Sequence, residues 1–313
     1  MPIYDKDKAL LTKIASLYYM QGLTHVEIAN KLGFSRPTVT RHLAKARELG
    51  IVEIKIASQY RTCCEIEEVL KKRFQLHEVI IVPSGNLLTE TKQGVGKACS
   101  DYLNATLIHG DILGMAWGTT IYEVGRYLQL EKPLDLTVVQ LMGGLNTSEK
   151  INPEEIVKLI ATKLNATGIW LNTPAIVGSA AIKKALLSDD GVKSVLAKAN
   201  KCTKCLLGLG DAGDESSIVM SNALTSDDMI QLRSIGAVGN ILGWFYDING
   251  APVDTVMNQR IIAVPLEDIK QVPIRIGVTA GTMKAQAILG AIHGGYINVL
   301  ITDEEAAQDV LRL

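Results

Sequence analysis

The sequence predicts a small all-α domain followed by a larger α/β, Rossmann-like domain built on a mainly parallel sheet. Three observations carry that expectation. The first fifty residues place apolar side chains at helical spacing, cut into three pieces by caps and glycines. From Glu78 onward, near-continuous aliphatic runs alternate with helical patterns, as in strands covered on both faces. The charge is also divided. Through Arg61 there are 10 Lys and Arg against 5 Asp and Glu, a net +5, and the remainder holds 22 against 28, a net −6. A basic end on an acidic body suits a nucleic-acid contact joined to a separate domain. The expected divisions are residues 1–57, a linker and connecting helix over 58–77, and the α/β domain over 78–313.

Composition narrows the class. The 313 residues are 47% hydrophobic and 21% charged, with aliphatic rather than aromatic apolar mass. No run approaches the roughly 18 apolar residues of a membrane span. The opening Met1-Pro2-Ile3-Tyr4-Asp5-Lys6 lacks a signal-peptide core, so a cytoplasmic protein with no membrane partner is expected. Five cysteines, an odd number, fit reduced thiols better than a disulfide framework. Cys202-Thr203-Lys204-Cys205 has redox or zinc-site spacing, but no second Cys or His pair accompanies it and it runs into an apolar strand. Structural thiols and no metal are expected. The five histidines are scattered, and no Walker loop or GxGxxG follows the first strand of the large domain, so no cofactor and no catalytic residue is assigned.

At the N-terminus, Leu11, Ile14, Ala15 and Tyr18 predict a helix from about Lys6 to Met20, ended by Gln21-Gly22. Thr24 and Glu27 then form a capping-box pattern, with Leu23 able to staple onto Ile28, and this second helix stops at Gly33. Ser35 caps a third helix with Pro37 in its first turn, running to about Leu49 before Gly50. A short connection containing Gly33 between a scaffold helix and a polar-faced one is the helix-turn-helix pattern. Small Ala29 permits close approach, and Val39 and Leu43 pack the third helix onto the second. Ser35, Arg36, Thr38, Thr40 and Arg41 are left near the exposed start of the third helix. Their side chains can donate to phosphates and base edges of double-stranded DNA. His42 either sits half-buried or faces the phosphate backbone. Ile51 to Ile56 alternates like one strand, which is not a complete wing. Ser58 to Cys64 reads as a linker. The amphipathic helix from Glu65 to about Phe74 either leads into the next domain or packs between subunits.

In the large domain the expected strands are Val79 to Val82, Ile112 to Ala116, Leu136 to Leu141, Ile169 to Leu171, Cys205 to Leu209, Ile274 to Val278 and Ile297 to Ile301. Helices are expected over Glu90 to Leu107, Ile121 to Leu128, Pro153 to Asn165 and Met283 to Ile292. Ligands of such sheets sit at the carboxyl ends of the strands. Gly118-Thr119-Thr120 follows one strand and opens a helix, which makes two hydroxyls and free N–H groups available to an anion. Lys284, one turn into a later helix, either neutralises a bound phosphate or is a solvated lysine.

Taken together, these stretches resemble the SorC family of bacterial regulators along nearly the whole chain. The resemblance rests on Leu23 to Ala29, Ser35 to Arg41, Gly114 to Thr120, Gly236 to Gly243 with Phe245-Tyr246-Asp247, Ala280 to Ala285, and Gly294 to Asp303. It implies an effector domain like the sugar-phosphate isomerase and deaminase fold. It further implies a homo-oligomer, a dimer or tetramer on a palindromic operator, and a sugar or sugar-phosphate effector. Carried over by position, Gly118, Thr119, Thr120 and Lys284 would hold a phosphate, and Asp211 and Asn240 would face sugar hydroxyls. Two positions depart from relatives. Some carry a lysine where this chain has Met142 and form a Schiff base with it, which a thioether cannot do. Many carry Asp where this chain has Asn240, whose amide donates as well as accepts.

The leading expectation is therefore a DNA-binding regulator of a carbohydrate operon under non-covalent effector control. A sugar-phosphate isomerase or deaminase is the competing reading, with Asp211 as its only placeable general base. A DNA-binding structural protein with an empty pocket is the third.

Overall fold

The computed structural model of the protein describes residues 6–54, 61–145, 147 and 152–313. Helix α1 spans Lys6–Ala15, and its end widens into a π-helical turn over Ser16–Met20. Helix α2 (His25–Leu32) opens with a full capping box. Thr24 Oγ1 accepts from the Glu27 N–H at 3.3 Å, and the Glu27 carboxylate accepts from the Thr24 N–H at 2.8 Å. These bonds hold the Glu27 carboxyl below the usual carboxylate range. Gly33 ends α2 at φ +72°, a left-handed turn that glycine adopts without strain. Helix α3 (Arg36–Glu48) is capped by Ser35, whose hydroxyl accepts from the Thr38 N–H at 3.3 Å. Leu11, Ile14, Leu17, Ile28, Val39 and Leu43 are buried together, and Leu23 packs on the same cluster.

Two expectations near this unit are corrected. Residues 51–54 form no strand, while residues 55 and 56 lie outside the described residues. The N–H groups of Ile51 and Val52 both donate to the Ala46 carbonyl, so the chain curls back over the end of α3 instead of extending. The expected linker is helical from Arg61 onward, because α4 spans Arg61–Phe74; residues 58–60 lie outside the described residues. Arg61 pairs with Glu65 at 2.9 Å, and Cys63, Ile66 and Leu70 are buried in the large core. Through these residues α4 packs onto the second of two compact units, Met1–Ser58 and Gln59–Leu313.

Among the described residues ten strands follow: β1 (Glu78–Val82), β2 (Ile112–Met115), β3 (Thr137–Gln140), β4 (Thr167–Ile169), β5 (Lys204–Gly208), β6 (Gly210–Asp211), β7 (Gly239–Ile241), β8 (Trp244–Tyr246), β9 (Ile274–Val278) and β10 (Val299–Asp303). Seven build one parallel sheet in the order β1-β10-β9-β5-β2-β3-β4, and these are the seven aliphatic runs of the sequence. The fourth is shifted. Leu171 lies past the end of β4, donates its N–H to Gln140 Oε1 at 3.3 Å, and joins a separate cluster with Val177 and Ile262. Strands β6, β7 and β8 form a small antiparallel sheet that the sequence did not announce. At two or three residues each, they are too short to show a period.

The helices of this unit are α5 (Leu88–Thr106), α6 (Thr119–Tyr127), α7 (Pro153–Leu164), α8 (Ala180–Ser188), α9 (Asp190–Ala199), α10 (Ser217–Met220), α11 (Ser226–Ser234), α12 (Leu266–Ile269), α13 (Ala285–His293) and α14 (Glu304–Arg312). A 3₁₀ turn, Thr282–Lys284, precedes α13. Under the sheet, the buried Lys204 and Asp111 pair, and the Thr203 hydroxyl donates to the same carboxylate at 2.6 Å. Burial pushes the Asp111 carboxyl up, but the Lys204 and Thr203 bonds outweigh it and hold it below its ordinary value. Cys202 and Cys205 are buried, and desolvation pushes the Cys202 thiol up to about 12. They are core thiols. Among the described residues no helix is long and apolar enough to cross a membrane.

Candidate effector site and DNA interface

In the first unit, Ser35, Arg36, Thr40 and Arg41 are exposed and Thr38 is half-buried, all on the opening two turns of α3. Their hydroxyls are partly engaged. Ser35 Oγ caps the helix and lies 2.8 Å from Thr38 Oγ1, and Thr40 Oγ1 donates to the Arg36 carbonyl at 3.2 Å. The two guanidinium groups are therefore the donors this surface offers without rearrangement. His42 is half-buried, donates from Nδ1–H to the Thr38 carbonyl at 2.7 Å and stacks on Phe34. It braces the turn from behind.

In the second unit, a cavity of about 730 Å³ opens at the carboxyl ends of the central strands. The fold places it there because the strand order changes direction between β5 and β2, which opens a crevice at their carboxyl ends. Gly118, Thr119, Thr120, Asp211, Asn240 and Lys284 all line it. Gly118 has φ +135° and ψ 161°, a conformation that glycine alone adopts cheaply, and it aims the start of α6 into the cavity. No side chain caps α6, so its opening N–H groups face the space with the Thr119 and Thr120 hydroxyls.

The remaining groups are wired together. Lys284 pairs with Asp211, whose other oxygen accepts from the Gly213 N–H at 2.6 Å. Asn240 lies across β6 and β7 from Gly210 and donates from Nδ2 to the Asp211 carbonyl at 3.3 Å. A Cβ at position 210 would stand 2.5 Å from that amide, so glycine is needed there. The turn carrying Lys284 is itself tied down. Asp303, at the end of β10, accepts from the Gly281 N–H at 2.6 Å and the Ser84 hydroxyl at 2.9 Å. Met142 is fully buried, forms a bridge with Ala263 and does not line the cavity.

Sequence reasoning missed several groups of the lining: Lys92 on α5, Ser216 before α10, and Asp303. The rule that ligands meet strand ends would have reached the segment after β1 and the end of β10, had it been applied to those strands as well. Lys92 itself follows no motif.

A family model of a sugar-binding domain matches residues 58–312, and a winged helix-turn-helix model matches residues 21–53. The chain is 33% identical over 303 residues to the uncharacterized transcriptional regulator YjhU of Escherichia coli, covering 94% of this chain and 92% of that one. It is 30% identical to the sorbitol operon regulator of Klebsiella pneumoniae, covering 98% of each. The crystal structure of that full-length regulator, SorC, superposes with a TM-score of 0.76 over 98% of this chain and 99% of its own.

Proposed function

The chain belongs to the SorC family and is a sugar-responsive, DNA-binding transcriptional regulator, and from that premise we propose that a phosphorylated sugar, held non-covalently in the 730 Å³ cavity, controls a carbohydrate-utilisation operon. One observation carries this reading. Three stretches far apart in sequence, Gly118 to Thr120, Asp211 with Asn240, and Lys284, meet around one cavity with an uncapped helix start.

In this reading the phosphate sits on the N–H groups and hydroxyls at the start of α6, where the helix dipole and donor geometry both favour an anion. Lys284 shares its ammonium between Asp211 and the phosphate. Asp211 and Asn240 take the sugar hydroxyls. The side chain at position 142 is a thioether buried outside the cavity, so it supplies no amine for covalent capture. The site senses its ligand and does not turn it over. Asp211, the candidate base, has both carboxylate oxygens engaged, one by the Lys284 ammonium and the other by the Gly213 N–H.

On the DNA side, Ser35, Arg36, Thr38, Thr40 and Arg41 contact the operator, with the arginines reading bases or clamping phosphates. The protein works in the cytoplasm as a homo-oligomer, a dimer or tetramer, on an operator whose two-fold symmetry mirrors its own. Control requires the effector to bind one arrangement of the protein better than another, since equal affinity shifts nothing.

A thermal-shift screen of phosphorylated sugars against their unphosphorylated counterparts tests the proposal. A ligand at about 100 times its Kd stabilises the native state by about 2.7 kcal/mol. At least one phosphorylated sugar should raise the melting temperature and change the operator mobility shift. Responses confined to unphosphorylated sugars would refute the phosphate site, and turnover of any hit would refute the sensing role.

A further inference from the structure

The cavity contains a positive charge that the assigned residues do not explain. Helices α5 and α6 both return from parallel strands of one sheet, so they run side by side in the same direction. They approach closely at Gly96, where a Cβ would lie 2.5 Å from that of Glu123. Lys92 is one turn before Gly96, and Thr119 is one turn before Glu123. This register sets Lys92 abreast of the first turn of α6.

The charges around Lys92 are already matched with one another. Asp211 pairs with Lys284, and Glu123 pairs with Arg126 at 2.8 Å. Among the described residues Lys92 itself has no hydrogen-bond or ion-pair partner. Burial is the first cause that pulls its ammonium below the ordinary lysine range, and repulsion from Lys284 adds to it; Asp211 and Glu123 oppose both. Of the other carboxylates lining the cavity, Asp214 pairs with Arg233, Asp303 is engaged in hydrogen bonds, and Glu215 and Glu305 are exposed to solvent. A second group is also unmatched. Ser216, only 3% exposed, lines the same cavity, and its hydroxyl has no partner within the protein. A buried hydroxyl without a partner costs free energy that a ligand oxygen recovers.

We propose that Lys92, together with the Ser216 hydroxyl, is a specificity-determining contact for the effector, and that this one unmatched ammonium makes the cavity select a phosphate monoester over a neutral sugar. The inference rests on the phosphate site proposed at the start of α6. Lys284 cannot supply the same selectivity, because Asp211 already balances its charge. Lys92, half-buried in the cavity wall, adds to the α6 start and the shared Lys284 an ammonium that, among the described residues, no carboxylate already pairs.

Calorimetric titration of the full-length protein with inorganic phosphate, at constant ionic strength, tests this. Lys92→Met should weaken phosphate binding by about tenfold or more, as expected for removing a charged hydrogen-bond partner. Its unliganded melting temperature should match the parent, because the thioether chain fills the same space. Lys92→Arg retains the charge and should restore most of the affinity, which a purely structural role for Lys92 would not predict. Ser216→Ala should weaken phosphate binding without lowering the melting temperature of the free protein. Undiminished phosphate binding by Lys92→Met would overturn the inference and leave the site at α6 standing. Absence of phosphate binding by the unaltered protein would overturn that site, and this inference with it.

Discussion

Arg41 and Lys284 show how differently two exposed-looking cations act. Arg41 is exposed on the second turn of α3 and, among the described residues, its side chain has no hydrogen-bond or ion-pair partner. Arg41→Ala should cost about 1–3 kcal/mol of operator affinity if it reads a base, or reduce the salt slope by about one if it holds a phosphate. Operator titrations at several salt concentrations measure both, and unchanged binding would remove α3 from recognition. Lys284 is instead half-buried against Asp211. Lys284→Ala should abolish the effector response and leave operator affinity intact, because it leaves the Asp211 carboxylate facing the incoming anion. Effector-dependent release from an operator fragment is the readout. A response equal to the parent's would show that the ion pair is only structural.

At the scale of elements, caps and one glycine carry the local design. Thr24 and Glu27 satisfy each other's N–H groups, so Thr24→Ala should destabilise the first unit by about 1 kcal/mol. Thermal denaturation followed by circular dichroism checks this, and no change would mean that tertiary packing alone holds α2. The turn from β2 into α6 depends on Gly118. There is open space where its Cβ would be, so Gly118→Ala tests the backbone alone. At φ +135° the substitution should cost about 1–3 kcal/mol and displace the start of α6, with loss of effector binding. Full affinity in that variant would separate ligand binding from the helix start.

For the whole molecule, the α/β unit carries a pH signature. The Asp111 carboxyl lies below its unfolded value, so its contribution is present above about pH 4, the ordinary aspartate range, and is lost as the pH falls through the lowered native value. Urea midpoints measured down that range should fall in the parent. Asp111→Asn should remove that part of the slope and cost about 3–5 kcal/mol at neutral pH, because it strands the buried Lys204 charge. A parallel decline in both proteins would mean that other carboxylates govern acid unfolding.

Much of this was legible in the residues themselves. Thr24, Glu27, Gly33 and Ser35 determine the bounds of α2 and the start of α3 because caps and left-handed glycines act within a few residues of chain. The seven aliphatic runs determine seven parallel strands because a strand buried on both faces has to be apolar throughout. Gly118 to Thr120 and Lys284 were readable because they follow strands, where such sheets bind ligands. What tertiary structure alone decided is how those pieces meet. Strands β6, β7 and β8 are stabilised by pairing across distant segments, and nothing in two or three residues foretells that. The helical course of Arg61 to Cys64, where a linker was expected, goes with the burial of Cys63 in a core assembled from the second unit. Likewise, the pairing of Lys284 with Asp211 and the placement of Lys92 beside α6 follow from helix register and strand order. Those long-range relations fix distances between residues that the sequence keeps far apart.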